Sequence, residues 1–251
     1  MTALLEVAGL NKHFGGLHAV KNVSLSVERG EIVGILGPNG AGKTTLYNLL
    51  TGFIAPDAGA SIVFDGRTLV GLPPHRIAGL GISRTFQLCR PFVGMSVLEN
   101  VVVGGLGSAR RDGAGLEARA QALLAQVGLA GKERVPVEVL SYGDQRRLEI
   151  ARALAASPKL LLLDEPFAGL GSGEIADLSN LIRHVHKHEG LTVILIEHKL
   201  REFMRLVGRV IALDFGEVIA RGSPEEIVRH PAVIEAYIGQ DATGTEPAHA
   251  A

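Results

Sequence analysis

The apolar residues of this 251-residue chain recur in short runs that predict alternating strands and helices. Residues 4–10 and 23–28 alternate between apolar and polar positions, as strands with one buried face do. Residues 31–36 are mostly apolar and predict a third strand. A glycine-rich loop and a predicted helix over 43–51 come after this strand. Residues 61–66 predict a further strand and its turn.

The second half of the chain has longer helical patterns and fully apolar strands. Residues 104–115 are rich in glycine and charge and predict a loop, whereas 116–127 have helical spacing. We therefore predict a helical subdomain over about 86–157, inserted into an α/β core. Residues 1–240 are expected to form one domain, and the small, polar residues 241–251 a disordered tail. Further elements are predicted as buried strands at 160–163 and 192–196, an amphipathic helix at 174–188, a hairpin of 210–213 with 216–220, and a helix at 224–228 capped by Ser223.

Composition and charge narrow the class of protein. Hydrophobic residues make up 47% of the chain, which is enough to build a sizeable core. The 25 basic and 26 acidic residues give a net charge of -1, so we expect no nucleic acid as the main partner. The single cysteine, Cys89, excludes an intrachain disulfide, and no apolar run reaches the ~18 residues of a membrane span. Residues 1–6 lack the pattern of a signal peptide.

One motif predicts a phosphate-binding loop. Residues 37–44 read Gly-Pro-Asn-Gly-Ala-Gly-Lys-Thr, which matches G-x-x-x-x-G-K-[ST] and lies between a predicted strand and a predicted helix. Glycines let backbone N–H groups surround a phosphate at a helix N-terminus. Lys43 places a cation at the β- and γ-phosphates, and the Thr44 hydroxyl is a candidate Mg²⁺ ligand. The predicted nucleotide-binding residues are Gly37, Pro38, Asn39, Gly40, Ala41, Gly42, Lys43, Thr44 and Thr45.

A second, acidic motif predicts hydrolysis. Four leucines at 160–163 lead into Asp164 and Glu165. In a phosphate-loop enzyme an aspartate at a strand end holds Mg²⁺, usually through water, which is the role predicted for Asp164. Glu165 is a candidate general base for the attacking water. The alternative is a solvated strand end with ordinary surface acids, which the phosphate loop disfavours.

With these motifs, the chain resembles the ABC ATPase family over residues 4–239. Residues 140–144 read Leu-Ser-Tyr-Gly-Asp and are similar to the family's signature loop. The resemblance implies that Ser141 and Gly143 contact the γ-phosphate of ATP bound by the opposite subunit, although Ser141 can also cap a helix over 145–155. It implies an α/β fold, in which a phosphate-loop NTPase core has a mixed sheet flanked by helices. The inserted helical subdomain and an N-terminal antiparallel β subdomain complete that fold.

Three further residues match single positions of the family. Gln87, in Arg-Thr-Phe-Gln, resembles the glutamine that reaches Mg²⁺ and the attacking water. His198 follows a predicted strand and is similar to the switch histidine at the γ-phosphate. Phe14 occupies the place of the aromatic residue that stacks on adenine, and Val20 is a further candidate for that apolar platform. The implied catalytic residues are Glu165, His198, Gln87 and Lys43, and the implied Mg²⁺ ligands are Thr44, Gln87 and Asp164.

The chain departs from the family pattern at four positions. Tyr142 replaces a more usual glycine, and Asp144 replaces a glutamine. Gly171 stands where many relatives have aspartate or asparagine, and Lys199 where an acid is common. A carboxylate at Asp144 should repel a triphosphate unless it points away. We therefore hypothesise slower or less coupled hydrolysis than in close relatives, but not loss of activity.

Several segments resemble the ATPases of high-affinity branched-chain amino-acid importers. The resemblance implies an ATP-hydrolysing subunit on the cytoplasmic face of the membrane, with ATP and Mg²⁺ bound. Its implied partners are a second ATPase subunit, identical or paralogous, membrane-spanning permease subunits and, indirectly, a solute-binding protein. The ATPase does not touch the solute, so urea, amides and aromatic acids are alternative solutes. A non-transport ABC ATPase, an exporter subunit and a weakly catalytic regulatory module are alternative functions. The segments that carry the resemblance are residues 81–87, 95–101, 146–152, 214–220, 231–237 and Gly239.

Overall fold

The computed structural model describes residues 3–107, 113–197 and 200–241, which form ten strands and nine α-helices. The strands are β1 (Ala3–Phe14), β2 (Leu17–Glu28), β3 (Ile32–Leu36), β4 (Ser61–Phe64), β5 (Arg67–Thr68), β6 (Ile82–Arg84), β7 (Leu160–Asp164), β8 (Thr192–Ile196), β9 (Arg209–Asp214) and β10 (Glu217–Gly222). The helices are α1 (Lys43–Leu50), α2 (Pro74–Gly79), α3 (Val97–Gly105), α4 (Gly113–Gln126), α5 (Tyr142–Ala155), α6 (Ser172–Glu189), α7 (Leu200–Leu206), α8 (Pro224–Ile227) and α9 (Pro231–Asp241). None of these described helices is both long and apolar enough to cross a membrane.

A six-stranded sheet positions the polar residues predicted to be functional. Its strand order is β10-β9-β3-β8-β7-β6, and every neighbouring pair is parallel except β10 with β9. The carboxyl ends of the parallel strands therefore meet at one edge, where open α/β sheets bind ligands. The phosphate loop follows β3, Asp164 ends β7, and Gln87 follows β6 at this edge.

Alternate residues of the central strands face two hydrophobic cores. In β3, Val33 and Ile35 pack with α1 and an antiparallel sheet of order β2-β1-β4-β5, whereas Ile32 and Leu36 pack with helices α3 to α7. Every residue of β3, β7 and β8 is buried, as continuous apolar runs predict for strands covered on both faces. The predicted α/β fold, with its mixed sheet, flanking helices and N-terminal antiparallel sheet, is confirmed.

The first two strands are longer than the alternation predicts. β1 continues to Phe14 and β2 begins at Leu17, so the two strands form a hairpin. His13 pairs with His18 near its turn. Several shifts of register along β1 interrupt the alternation of apolar and polar positions, and the pattern therefore breaks off before the strands end.

The predicted loop over 104–115 is wrong at both ends. Helix α3 includes Gly104, and α4 includes the last three residues of that range. A Cβ atom at Gly104 would lie 2.5 Å from the Arg152 carbonyl oxygen, so glycine allows α3 to approach α5 closely. Glycine here indicates close helix packing rather than a turn. Residues 108–112 of the predicted loop lie outside the described residues.

The predicted helix caps are present. Ser223 caps α8, and Ser141 caps α5 by accepting the Asp144 N–H at 3.2 Å. Helix α5 therefore begins at Tyr142, earlier than predicted. It packs against α3 and α4, but the limits of 86–157 for a helical subdomain stay a prediction. The hairpin of β9 with β10 is confirmed. The predicted tail, residues 241–251, is placed one residue too early, because α9 includes Asp241, and residues 242–251 lie outside the described residues.

Candidate functional site

The phosphate loop connects β3 to α1 at the carboxyl edge of the six-stranded sheet. Gly40 and Gly42 have φ angles of 81° and 95°, which other residues rarely adopt. A Cβ atom at Gly42 would also lie 2.5 Å from the Ala19 carbonyl oxygen of β2. Backbone conformation and packing therefore both require glycine at residue 42.

Lys43, the first residue of α1, folds its side chain back into the loop. Its Nζ donates hydrogen bonds to the carbonyl oxygens of Gly37 at 2.6 Å and Pro38 at 2.8 Å, and the residue is buried. Burial lowers the pKa of Lys43, although the carboxylates of Glu165 and Asp164 act in the opposite direction. A phosphate in the loop would supply a counter-charge to this buried ammonium group.

Asp164 ends β7 with a buried side chain that is already paired. Its Oδ2 accepts a hydrogen bond from Arg84 Nη2 at 2.8 Å, and Nη1 of the same guanidinium donates to Asn48 Oδ1 at 2.6 Å. Burial raises the pKa of Asp164, and Arg84 partly offsets the rise. A cation bound at Asp164 therefore has to share the carboxylate with Arg84.

Glu165 lies just beyond β7 in an uncommon backbone conformation. Its φ of 48° is left-handed, which costs a non-glycine residue about 1 kcal/mol. Its N–H donates to the Ile196 carbonyl oxygen of β8 at 3.0 Å, which holds this conformation in place. Its Oε2 accepts a hydrogen bond from Gln87 Nε2 at 3.0 Å. The structure thus brings together the two described side chains that are predicted to handle the attacking water.

A cleft of about 580 Å³ opens beside these residues. Phe14 is 46% exposed, and Lys12 Nζ lies 5.5 Å from its ring centre. Val20 is buried in the core, so its predicted place in an apolar platform is wrong; in a strand, its side chain points away from the face of Ala19. The predicted residues that line the cleft are Phe14, Asn39, Gly40, Ala41, Gly42, Lys43, Thr44, Thr45, Gln87 and Glu165.

The signature loop, residues 140–144, does not line this cleft. Ser141 uses its hydroxyl to cap α5, and Gly143 lies on the first turn of that helix. A Cβ atom at Gly143 would lie 2.3 Å from Glu174 Oε1 of α6, so a larger residue would displace that carboxylate. A single chain therefore does not bring Ser141 and Gly143 to its own phosphate loop.

Asp144, whose carboxylate is expected to repel a triphosphate unless it points away, forms an ion pair within the chain. Lys132 Nζ forms an ion pair with Asp144 Oδ2, and the Asp144 side chain is only 18% exposed. The charge of the signature loop is therefore compensated within the chain. This weakens the reason to expect repulsion of a triphosphate, and slower hydrolysis stays a prediction.

The predicted switch histidine, His198, lies outside the described residues, as does Lys199. Glu197 precedes them directly after β8 and is fully buried. Its Oε1 accepts the Phe167 N–H at 2.6 Å, which ties the end of β8 to the loop after Glu165. The role of His198 stays a prediction.

Three residues of this site were not identified from the sequence. Phe215 and Leu17 line the same cleft as Phe14, and Phe215 is 72% exposed in the turn between β9 and β10. An aromatic residue in a predicted turn is a usable signal, because turns favour polar residues and glycine. The third, Arg84, pairs with Asp164 across 80 positions of sequence, and no local pattern marks such a contact.

Comparison with known families identifies the family to which these motifs belong. The sequence profile described as ABC transporter matches residues 20–168, more than half of the chain. The chain belongs to the ABC transporter family. It is an ATP-binding ATPase subunit of that family, as its motifs imply. A second profile, described as branched-chain amino acid ATP-binding cassette transporter, matches residues 217–243.

Curated relatives match this ABC ATPase over nearly its whole length. Two are named high-affinity branched-chain amino acid transport ATP-binding protein LivG, and they are 44% identical in Salmonella typhimurium and 43% identical in Escherichia coli strain K12. The corresponding protein BraF of Pseudomonas aeruginosa is 41% identical. Each match covers 94% of this chain and 98% of the relative.

Solved structures of ABC cassettes share the fold. The ADP conformation of an ATP-binding cassette of an ABC transporter superposes with a TM-score of 0.87 at 30% identity, covering 95% of this chain and 100% of that chain. A dimeric cassette in a post-hydrolysis state, bound to ADP and Pi, superposes with a TM-score of 0.79 at 27% identity, covering 88% and 98%. The resemblance to ABC ATPases is therefore confirmed in both sequence and fold.

Proposed function

We propose that this ABC ATPase hydrolyses ATP in the cleft at the carboxyl edge and thereby drives import of branched-chain amino acids through permease subunits. The observation that supports the site best is the 3.0 Å hydrogen bond between Gln87 and Glu165 beside the phosphate loop. It joins the candidate base to the side chain that orients its water. The names of the relatives support the choice of solute.

The residues of the cleft divide the work of hydrolysis. Glu165 takes a proton from the attacking water, and Gln87 orients that water. Lys43 exchanges its two carbonyl partners for oxygens of the β- and γ-phosphates, where negative charge develops. Phe14 stacks on adenine, and His198 contacts the γ-phosphate.

The oxygen atoms at this edge fit Mg²⁺. Asp164 offers a carboxylate, Thr44 a hydroxyl, and Gln87 an amide oxygen, since its amide nitrogen is used by Glu165. Hard oxygen ligands of this kind are the ones Mg²⁺ prefers. When bound, Mg²⁺ neutralises charge that develops on the phosphate oxygens.

A second ATPase subunit, identical or paralogous, completes each site. Ser141 and Gly143 lie at the exposed start of α5, outside the cleft of their own chain. We infer that they contact the γ-phosphate held by the partner subunit, with backbone N–H groups at the helix start directed to the anion. The dimeric state of a related cassette bound to ADP and Pi supports this arrangement.

The permease subunits dock beside Gln87 in this proposal. A second cleft, of about 430 Å³, lies between α2 and β6 on one side and α3 and α5 on the other. Phe53, Phe86 and Phe92 line it and are each at least 41% exposed, which is typical of a protein-binding patch. Docking there would place the chain at the cytoplasmic face of the membrane, with a solute-binding protein acting through the permease.

Uptake of labelled leucine by cells that carry the native chain or Glu165→Gln tests the proposal. We expect Glu165→Gln to lower leucine uptake at least about 10²-fold, because the water loses its base. Glu225→Gln is the control, since Glu225 is exposed on α8 and does not line the cleft.

A panel of other amino acids, urea and aromatic acids identifies the solute. Loss of uptake of one of these, with leucine unchanged, keeps the transport function and replaces the solute. Unchanged uptake of every solute contradicts a role in import, provided that Glu165→Gln is stably expressed and no paralogue substitutes. ATP turnover by the purified chain separates this ATPase from a regulatory module.

A further inference from the structure

Arg146 of α5 is almost completely buried and binds the segment that carries Gln87. Its exposed fraction is 2%. Nη1 donates to the Phe86 carbonyl oxygen at 3.1 Å, and Nη2 donates to the Gln87 carbonyl oxygen at 2.6 Å. One side chain of α5 therefore holds two consecutive carbonyl groups of the Gln87 segment, residues 86–89.

Glu149, one turn further along α5, holds the same segment. Its Oε1 accepts the Phe86 N–H at 2.8 Å, and its Oε2 accepts hydrogen bonds from Cys89 Sγ at 3.4 Å and Arg146 Nη1 at 3.2 Å. The Gln87 segment belongs to no helix or strand. Arg146 and Glu149 therefore satisfy backbone groups that regular secondary structure would otherwise satisfy.

Tyr142 of the signature loop joins this network. Arg146 Nη2 donates to the Tyr142 hydroxyl at 2.8 Å, and Arg146 Cζ lies 5.3 Å from the centre of the tyrosine ring. A Cβ atom at Gly169 would lie 2.8 Å from Tyr142 Cε1, so the ring also packs against the loop after Glu165. A glycine at residue 142 would remove both contacts.

A buried ion pair is an inefficient way to stabilise a fold. Removing two charges from water offsets most of their attraction, and an apolar pair could hold the helix as well. The charged pair instead fixes the direction of the Gln87 segment, because guanidinium and carboxylate groups bind several partners at set angles. Gln87 reaches Glu165 at 3.0 Å, so the direction of its segment decides whether the two side chains meet.

We propose that Arg146, Glu149 and Tyr142 are positioning residues, which hold the Gln87 segment so that Gln87 meets Glu165 and tie its position to that of the signature loop. The inference rests on the proposed roles of Gln87 and Glu165 in hydrolysis. It gives Tyr142 a role inside its own chain, through Arg146 and Gln87.

Steady-state ATPase measurements on the purified full chain test the inference by double-mutant cycles. Arg146→Met removes the two bonds that Arg146 donates to the Gln87 segment and leaves those of Glu149, and Tyr142→Phe removes one hydroxyl. We expect kcat to fall about 10- to 10²-fold for Arg146→Met. For Tyr142→Phe we expect a fall of about 3-fold, with the KM for ATP changed less than about 2-fold in both. In a Gln87→Ala background neither substitution should lower kcat further, because the residue through which they act is gone.

Arg147→Met is the matched control on the same helix. Arg147 donates to the Val127 carbonyl oxygen and to Asp177, not to the Gln87 segment. It should leave kcat within about 2-fold of the native value. Thermal unfolding is followed for every variant, and if Arg146→Met does not fold, Tyr142→Phe and Arg146→Lys complete the cycle with Gln87→Ala.

Two results overturn the positioning role. One is a substitution that lowers kcat by the same factor in the Gln87→Ala background as in the native chain, as expected of residues that act only on the fold. The other is a raised KM with unchanged kcat, as expected of residues that act on nucleotide binding. A native chain without ATP turnover contradicts the proposed function itself before any variant is compared, and the positioning role then falls with it.

Discussion

Charged side chains lie at both edges of the six-stranded sheet, and burial affects the two sets differently. At the amino edge, burial raises the pKa of Glu31, but the hydrogen bonds from Arg209 and from the Glu28 N–H, together with the charge of Arg209, outweigh that rise, so the net shift is downward. At the carboxyl edge, burial raises the pKa of Asp164 in spite of Arg84, and burial lowers the pKa of Lys43. Both shifts at the carboxyl edge disfavour the charged form.

At the amino edge the chain itself compensates the charge of Glu31, whereas at the carboxyl edge Arg84 offsets only part of the effect of burial on Asp164, and a ligand can supply the rest. A phosphate beside Lys43 and a cation beside Asp164 would supply the charges that burial makes necessary. The left-handed backbone of Glu165 adds strain of the kind that collects at functional sites. The comparison therefore distinguishes the functional edge by its physical properties, and substitutions at each edge test it.

Replacing Lys43 by methionine should have the largest effect. We expect kcat/KM for ATP to fall about 10²- to 10³-fold, because charge developing on the phosphates loses its cation. The free energy of unfolding should not fall, since a buried charge is replaced by an apolar chain of similar length. ATPase assays and urea unfolding of the same preparation measure both quantities.

Lys159→Met at the amino edge is the control for that variant. Lys159 Nζ bonds to Asp65 at 2.5 Å, and its side chain is half exposed. Turnover should be unchanged, and surface pairs of this kind contribute less than about 1 kcal/mol. If Lys43→Met loses more stability than Lys159→Met, the carboxyl edge does not carry uncompensated charge in the absence of ligand.

Replacing Arg84, the partner of Asp164, should have the next largest effect, in this case on the free energy of unfolding. Both side chains of the Arg84–Asp164 pair are at most 6% exposed, so Arg84→Met should cost about 3 kcal/mol of unfolding free energy. Adding Mg²⁺ should restore more stability to this variant than to the native chain, because the cation replaces the guanidinium. Urea unfolding with and without Mg²⁺ measures this. Equal stabilisation of both proteins would show that Arg84 and Mg²⁺ do not share the Asp164 carboxylate.

The ion pair in the signature loop should matter less. Lys132→Ala leaves the Asp144 carboxylate uncompensated, and in the proposed dimer this lowers ATP turnover about 2- to 5-fold by repulsion. Asp144→Gln should restore turnover in the Lys132→Ala background, since no charge is left to compensate. Turnover of the two single variants and the double variant measures the coupling. Independent effects of the two substitutions would mean that the pair does not serve the signature loop.

The carboxyl edge could be predicted where each motif is contiguous. The phosphate loop needs a strand, glycines and a helix in order, and residues 37–44 lie between such elements. Asp164 and Glu165 follow an apolar strand in the same way. Their partners could not be predicted, because Arg84 meets Asp164, and Lys132 meets Asp144, only through the fold. The sequence therefore could not predict that Lys132 compensates the charge of Asp144.

The position of Arg146 in the sequence could have predicted that its side chain is buried. It shares one face of α5 with Ile150 and Leu154, at a spacing of four residues, and all three are buried. A charged residue in such an apolar series predicts a buried polar contact, although it does not say with what. The glycines of 104–115 wrongly indicated a loop. Gly104 instead allows two helices to pack closely, which only the folded chain shows.

The smallest effect is expected at the amino edge, from Glu31→Gln. Arg209 donates to Glu31 from Nε at 2.7 Å and from Nη2 at 3.0 Å, so the pair is bidentate and partly exposed. The substitution should lower the free energy of unfolding by about 1 kcal/mol at pH 7 and leave ATP turnover unchanged. Because the pKa of Glu31 is lowered on folding, its stabilisation is present above the unfolded pKa and is lost as the pH falls through the folded pKa. The stability difference between native chain and variant should therefore shrink as urea unfolding is repeated from pH 7 down to about pH 3. A difference that stays constant would mean that Glu31 contributes packing and not charge, and the two edges of the sheet would then no longer differ in the way proposed.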